Sequence, residues 1–168
     1  MGVSGKMTHW IQYRLMQAGE KKEICAFVKR VFHEFVAHQY SNQGIQEFLK
    51  YIEPQHLSKR CQADSFVLLA ETKEKIVGMI ELIGNCHISL FFVEGHLQRI
   101  GIGRELLKKS IKICRENNPS LTEITVNSSP NAVNIYEKIG FSVVEPEKEK
   151  NGIRFVPMKL EFLNTSDT

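Results

Sequence analysis

The sequence lacks the features that mark a membrane protein, a zinc protein or a disulfide-rich secreted domain. No apolar run approaches the roughly 18 residues that a membrane-spanning helix needs, and no secretory signal pattern opens the chain. The cysteines lie far apart and form no C-x-x-C pair, which argues against a zinc site. They are Cys25, Cys61, Cys86 and Cys114. We expect four small buried hydrophobic residues in a reducing compartment, hence a cytoplasmic protein with no metal.

Charge and glycine spacing exclude further classes of ligand. The net formal charge of +3 is too small to indicate nucleic acid by itself. No G-K-[S/T] follows the glycines near residue 100, and no third glycine completes G-x-G-x-x-G, which argues against a nucleotide-binding domain of the P-loop or dinucleotide kind. A length of 168 residues suits a single domain over 1–168. We expect residues 1–7 and 164–168 to be flexible ends.

Hydrophobic periodicity in the first half predicts a strand, two helices and then three strands. Alternation over residues 10–15 predicts a half-buried strand, and residues 20–38 and 45–52 have helical spacing, the second helix closed by Pro54. Because both helices precede the central strands, we expect them to line an edge of the sheet. The strands that follow are predicted over 65–71, 76–83 and 86–93, with a hairpin joining the first two and a Gly84-Asn85 turn before the third.

The second half predicts a helix between two parallel strands. Residues 101–117 have the spacing of an amphipathic helix and 121–126 alternate like a strand, so a helix links the fourth strand to the fifth. Ser128-Ser129-Pro130 is typical of a hydroxyl-capped helix start, and Gly140 of a left-handed helix end. Two closing strands are predicted over 141–144 and 153–162, with a loop between them.

The most informative stretch is a strand that runs into two alternating glycines. Leu90 to Val93 are apolar, and Gly101 and Gly103 stand where the next helix begins. The first N–H groups of a helix have no partner within it, and the helix dipole favours negative charge there, so main chain alone can hold a pyrophosphate. The alternative is that the glycines only permit a tight turn from strand to helix.

Two motifs together resemble the GNAT superfamily of acyl-CoA-dependent N-acyltransferases. They are Q-R-I-G-I-G over residues 98–103 and, after one more predicted strand, N-A-V-N-I-Y-E-K-I-G-F over residues 131–141. The resemblance is strongest over residues 65–141. It implies an α/β (α+β) fold with a mixed, mostly antiparallel sheet of six or seven strands, helices on both faces and a splay between the fourth and fifth strands. It also implies acetyl-CoA as cosubstrate and an amine as acceptor.

The resemblance also implies which residues bind acetyl-CoA. The pantetheine arm pairs with the main chain of the fourth strand, here Phe91, Phe92 and Val93. The pyrophosphate is taken by the amides of the following loop. These loop residues are Gln98, Arg99, Ile100, Gly101, Ile102 and Gly103. Asn131 and Asn134 are implied as further contacts, although ordinary exposed helix polarity explains them equally well.

Two positions depart from the family pattern. Gly95 stands where a proline commonly follows the fourth strand, and Arg99 where a glycine is frequent. Neither change removes a backbone donor.

The implied reaction is direct attack of an amine on the thioester. Tyr136 occupies the family's general-acid position, although its ring could instead be kept for packing against Phe141. The general base is not identified. Glu81, His87, Ser89 and Glu34 are the candidates, and Glu81 is the preferred one, since apolar neighbours make an inward-facing carboxylate more basic.

The acceptor is not identified by the sequence. A small metabolite, an antibiotic and a protein amine all remain open, and in the family the segments corresponding to 31–51 and 145–155 usually set this specificity. We expect a monomer or homodimer with no nucleic-acid or membrane partner. The alternative function is a non-catalytic acyl-CoA-binding regulatory module of the same fold.

Overall fold

A computed structural model describes residues 10–84 and 86–163. Within them the chain forms eight strands and five α-helices. In chain order these are β1 (Gln12–Leu15), α1 (Lys21–Phe35), α2 (Asn42–Tyr51), α3 (Pro54–Ala63), β2 (Ser65–Glu71), β3 (Ile76–Ile83), β4 (His87–Val93), α4 (Ile102–Asn117), β5 (Glu123–Ser128), α5 (Val133–Ile139), β6 (Ser142–Val143), β7 (Lys148–Lys150) and β8 (Ile153–Glu161). The expected flexible ends and Asn85 of the predicted turn lie outside the described residues.

The strands form one mixed sheet in the order β1-β2-β3-β4-β5-β8-β6, with β7 paired to β8. Only β4 and β5 are parallel among the described strand pairs, which confirms the predicted mostly antiparallel α/β fold. The strand number is eight, where six or seven were expected. The additional strand is β7, which lies in the predicted loop because Asn151 and Gly152 adopt positive φ values of 53° and 80° and close a tight hairpin.

The sheet splays between its fourth and fifth strands, as expected. β4 pairs with β5 only at His87 and Ile88, although it stays paired with β3 as far as Val93. A register shift between Glu81 and Leu82 leaves Ser89 as an extra residue on β4. Because such a bulge bends the strand that carries it, β4 turns away from β5 and exposes one edge.

Helices cover both faces of the sheet, and each face has its own apolar core. Under α4 and α5 the buried residues include Ile80, Leu106, Ile124 and Phe141. Under α1, α2 and α3 they include Ile24, Val28, Leu57, Met79 and Leu90. The early helices therefore cover a face of the sheet, and the expectation that they line its edge is wrong.

The third helix was not predicted from the sequence. Pro54, expected to close the second helix, opens α3 instead, since proline fits the first turn, where its missing N–H is no loss. Leu57 is the one buried residue of α3, so its helical periodicity is weak. No helix among the described residues is long and apolar enough to cross a membrane.

Two of the cysteines are joined. Cys86 and Cys114 form a disulfide with their Cα atoms 6.1 Å apart, so the expectation of four separate thiols is wrong. Cys25 and Cys61 are free. The bond links the start of β4 to the last turn of α4 and closes a loop that contains the open strand edge and both glycines of the motif.

Candidate active site

The open edge of β4 leads into a loop with unusual backbone geometry. After a 3-10 turn over Gly95–Leu97, Arg99 has a φ of 71° and Gly101 one of 98°, and α4 then begins at Ile102. A Cβ atom added to Gly101 would meet nothing within 4 Å. Glycine is therefore favoured there by the left-handed conformation and not by lack of space.

Most backbone donors of this loop are unpaired. The N–H of Gln98 donates to the carbonyl of Gly95 at 3.3 Å, and its side-chain amide donates to the carbonyl of Val93 at 3.0 Å. The N–H groups of residues 99–104 form no hydrogen bond with any described residue. Together with the positive end of the α4 dipole, these donors form an arrangement suited to an anion.

Tyr136 lies in α5 and is buried against two other rings. Its ring meets Phe141 edge-on at a centroid distance of 5.2 Å and lies 6.3 Å from the ring of Phe91 on the open stretch of β4. Burial raises the pKa of Tyr136, so its hydroxyl keeps its proton at neutral pH. Gly140 ends α5 with a φ of 116°, as predicted, which brings Phe141 onto the last turn. The packing contact with Phe141 is thus present, and it sets the tyrosine beside the open edge of β4.

Asn131 and Asn134 have different surroundings. Asn131 lies in a 3-10 turn that precedes α5, where its side chain accepts a hydrogen bond from the Ser129 hydroxyl at 2.9 Å. Its N–H donates to the side-chain oxygen of Gln39 at 3.3 Å, and its Nδ2 donates to the carbonyl of Phe35 at 3.4 Å. Asn134 is exposed in the first turn of α5. The predicted hydroxyl cap at Ser129 is wrong, because that hydroxyl is used by Asn131.

Glu81, the preferred candidate base, faces the core under α1, α2 and α3 and is fully buried. Arg60 of α3 binds both of its oxygens, at 2.8 and 3.0 Å, and Ser65 donates a further hydrogen bond at 3.0 Å. The Arg60 guanidinium also lies 3.8 Å from the ring centroid of Tyr51. Glu81 therefore reaches an acceptor only if this ion pair opens.

Arg60 is a residue that the sequence reasoning missed. A buried carboxylate needs a cationic partner, so an inward-facing Glu81 already called for one. The residue that supplies this cation could not be identified from the sequence, because α3 was not predicted as a helix.

Two other candidate bases also have side-chain partners. His87 Nδ1 lies 2.7 Å from the Thr125 hydroxyl, across the parallel pair of strands, and burial lowers the pKa of this histidine. The hydroxyl of Ser89, the bulge residue, is hydrogen-bonded to the hydroxyl of Tyr51. Both side chains thus take part in interactions between elements.

Glu34 lies at the end of α1, beside the turn that follows β4. It is exposed, and a Cβ atom added to Gly95 would lie 3.0 Å from its Oε1 and 2.6 Å from Cζ of Phe35. The lack of a side chain at residue 95, where the family commonly has proline, therefore lets the end of α1 pack against the turn that follows β4.

An ion pair between a buried carboxylate and an exposed arginine also fixes the end of β4. Glu94 is 4% exposed and binds Arg30 of α1 through both oxygens, at 2.9 and 2.5 Å. Hydrogen bonding to Arg30 lowers the pKa of Glu94. This ion pair attaches α1 to the end of β4, the strand whose edge toward β5 is open.

Solved structures share this architecture. The PaiA N-acetyltransferase from Thermoplasma acidophilum, solved in complex with coenzyme A, matches with a TM-score of 0.73 and 19% identity over 90% of this chain and 99% of that one. A GCN5-related N-acetyltransferase from Rhodopseudomonas palustris matches with a TM-score of 0.76 and 18% identity over 90% of this chain and 95% of that one. At these identities the likeness shows the fold.

Sequence comparison shows the family. The uncharacterized N-acetyltransferase YafP of Escherichia coli K12 is 28% identical over 138 residues, which cover 82% of this chain and 85% of that protein. A family model described as the acetyltransferase (GNAT) domain matches residues 36–162. Because that match covers well over half of the sequence, the chain belongs to the GNAT acetyltransferase family.

Proposed function

We propose that this protein transfers an acetyl group from acetyl-CoA to a primary amine by direct attack of the amine on the thioester. One observation carries the proposal: an unpaired strand edge leads directly into a loop whose N–H groups, over residues 99–104, have no partner among the described residues. The similar fold of the PaiA N-acetyltransferase, which was solved with coenzyme A, supports it.

In this proposal the main chain binds acetyl-CoA. The pantetheine arm pairs with Phe91, Phe92 and Val93 as an additional strand, and the pyrophosphate binds the amides of residues 99–103 at the start of α4. Gln98 is already engaged, its N–H with the carbonyl of Gly95 and its side-chain amide with the carbonyl of Val93, so it contributes only where one of these hydrogen bonds opens. Both asparagines are exposed, but the side chain of Asn131 is already hydrogen-bonded to Ser129 and Phe35, so Asn134 is the preferred one for a further contact. Neither the chemistry nor the binding requires a metal.

Tyr136 protonates the departing thiolate. Its ring lies beside that of Phe91 on the open edge, and its hydroxyl is protonated at neutral pH. For Tyr136→Phe we expect a kcat that falls by about tenfold or more, with little change in acetyl-CoA affinity. Tyr13→Phe, which removes a hydroxyl from the edge strand β1, is the control. An unchanged kcat would assign the Tyr136 ring to packing on Phe141.

Two carboxylates compete for the role of base. Glu81 acts only if Arg60 releases it, whereas the exposed Glu34 lies beside the turn that follows β4. Glu81→Gln and Glu34→Gln separate them in a pH–rate profile. The variant that loses the rise of kcat with pH identifies the base, since that limb reports its deprotonation.

A non-catalytic acyl-CoA-binding module is the second candidate. It is favoured by the hydrogen bonds that already engage Glu81, His87 and Ser89. Release of free thiol from acetyl-CoA in the presence of a panel of amines distinguishes the two. Tight acetyl-CoA binding without turnover of any amine supports the module, and turnover supports the transferase.

A further inference from the structure

The sheet consists of two halves that are paired at one short junction. β1 to β4 form one half and β5 to β8 the other, and among the described residues they pair only at His87–Thr125 and Ile88–Val126. The open edge of β4 begins directly beyond this junction. The backbone that leads into β4 therefore determines how the two halves are joined and where the open edge starts.

That backbone passes through Cys86, which has an unfavourable conformation. Its φ of 66° lies in the left-handed region, where the Cβ atom of an L-residue is crowded by the main chain. Cys86 directly precedes His87 of the junction, and its sulfur is bonded to that of Cys114. A residue in this region persists only where other contacts hold it, and the disulfide is the covalent contact of Cys86.

Helix α4 connects this bond to the proposed diphosphate site. Its last turn carries Cys114, and its first turn follows the loop with the unpaired N–H groups. A Cβ atom added to Gly103 in the first turn would lie 3.4 Å from Cζ of Phe91 and 3.7 Å from Cγ2 of Val93. Helix α4 is therefore attached to β4 at both ends, by packing at the open edge and by the disulfide at the junction.

We propose that the Cys86–Cys114 bond is a redox switch of acetyl-CoA binding, with the oxidised protein as the form that binds. This rests on the proposed function, which places acetyl-CoA between the open edge of β4 and the start of α4. Without the bond, Cys86 is free to leave the left-handed region, and α4 loses its attachment at the junction. The edge and the loop amides then hold the binding arrangement for part of the time only, and the apparent affinity falls with that fraction.

The reductant that the switch requires is a dithiol. One thiolate of the dithiol attacks the sulfur of Cys86, the residue that is 7% exposed, where Cys114 is 1% exposed. Cys114 leaves as a thiolate and takes up a proton. The second thiol of the dithiol then loses its proton and attacks the mixed disulfide, so that Cys86 is released, takes up a proton and leaves the dithiol oxidised to a disulfide. Two electrons pass to the protein, and a disulfide oxidant reverses the reaction.

Reversible reduction of the folded wild-type protein tests the switch. Calorimetry with acetyl-CoA compares the oxidised protein, the protein reduced with dithiothreitol, and the protein reoxidised with oxidised glutathione. We expect the reduced form to bind about fivefold more weakly or worse, and reoxidation to restore the affinity. Cys61→Ser replaces a free cysteine and is the matched control, in which the response to dithiothreitol stays. Equal affinity of the oxidised and reduced wild type would overturn the switch, as would a bond that dithiothreitol reduces only in unfolded protein.

Two substitutions of Cys86 separate the bond from the backbone that it holds. Cys86→Ala and Cys86→Gly both lack the bond, but glycine adopts a φ of 66° without strain. We therefore expect Cys86→Gly to bind acetyl-CoA more tightly than Cys86→Ala, and neither variant to respond to dithiothreitol. Binding by Cys86→Ala that is as tight as that of Cys86→Gly, or a response to dithiothreitol in either variant, would contradict the proposal.

Hydrogen exchange tests the switch without acetyl-CoA. In the reduced protein we expect exchange to be about fivefold faster or more in peptides that cover residues 86–93 and 123–128, because the junction opens more often. Peptides of β2, which lies two strands away from β4, are the internal control and should change less. If neither form binds acetyl-CoA, the proposed function fails, and the exchange rates still decide whether the bond controls the junction. Unchanged exchange at the junction would overturn that control.

Discussion

The free edge of β4 and the face that it turns toward α1, α2 and α3 differ in whether their polar groups already have partners. Its free edge and the loop behind it offer main-chain donors that have no partner among the described residues. On the face under α1, α2 and α3, the polar side chains are already paired: Glu81 with Arg60, and Ser89 with Tyr51. The edge thus has main-chain groups left over for a ligand. The side chains on the face are already bonded to the helices, and these bonds fix the position of the edge.

The paired face is what holds the open edge in place. Arg30 attaches α1 to Glu94 at the end of β4, and Arg60 attaches α3 to the strand beside it. An unpaired edge gains nothing from a neighbouring strand, so its position must be set by its other contacts. Changes on the face should therefore alter stability, and changes in the loop should alter binding.

The largest expected loss of stability follows a substitution on the face under α1, α2 and α3. Arg60→Ala leaves Glu81 buried without its partner, and we expect the free energy of unfolding to fall by about 3–5 kcal/mol. Arg154→Ala breaks an exposed ion pair with Glu147 and is the matched control, with an expected loss below about 1 kcal/mol. Urea denaturation measures both. Equal losses would show that the buried pair is not what holds β3 against α3.

Loss of the Cys86–Cys114 disulfide has the next largest expected effect on stability. Reduction, or Cys114→Ser, opens a loop of 28 residues' separation, and we expect a loss of about 3 kcal/mol. Cys61→Ser, which touches a free cysteine, is the control. Alkylation of denatured, unreduced protein should label Cys25 and Cys61 alone, and labelling at Cys86 and Cys114 would contradict the bond.

Gly101→Ala tests the loop that follows the open edge of β4. Alanine at a φ of 98° costs about 1–2 kcal/mol, and distortion of the loop amides weakens acetyl-CoA binding. Gly19 has a φ of 90° and equally open surroundings, so Gly19→Ala carries the same strain far from the loop. Calorimetry should show similar losses of stability and a loss of affinity for Gly101→Ala alone. Equal affinities would separate this loop from the cofactor.

The smallest effect is a pH dependence at the junction of the two halves. Burial holds the pKa of His87 below its unfolded value, so below about pH 6.5 the unfolded chain binds a proton that the native chain does not. Stability attributable to His87 is therefore present at neutral pH and falls as the pH drops through this range. His87→Asn should flatten that slope in denaturation curves recorded from pH 7.5 to 5.5, and an unchanged slope would assign it elsewhere.

Features that are local in the sequence were predictable. The bounds of β2 and β3 follow from continuous apolar runs between polar turns, and the end of α5 follows from Gly140. The splay and the parallel pair follow from the family resemblance and from the helix that links β4 to β5. The strand bounds and the helix end depend on residues that are close together in the chain, whereas the parallel pair joins residues 38 apart and needed the resemblance and the linking helix.

Other features that join distant residues were not predictable. The Arg60–Glu81 pair depends on α3, whose sequence carries little apolar periodicity, and the Cys86–Cys114 bond joins residues that no spacing rule connects. The strand β7 is fully exposed and has no hydrophobic pattern. In the candidate site, the donors of the loop could be foreseen from its glycines, but the partners of the candidate bases could not.

Titration of the backbone amides by NMR decides whether the loop binds the diphosphate of coenzyme A. We expect coenzyme A to shift the amide signals of Ile100, Gly101, Ile102 and Gly103 most strongly. S-acetylpantetheine, which has the same arm but no diphosphate, should shift the amides of Phe91 to Val93 and leave the loop unchanged. Coenzyme A binding that leaves the loop amides unshifted would contradict the account.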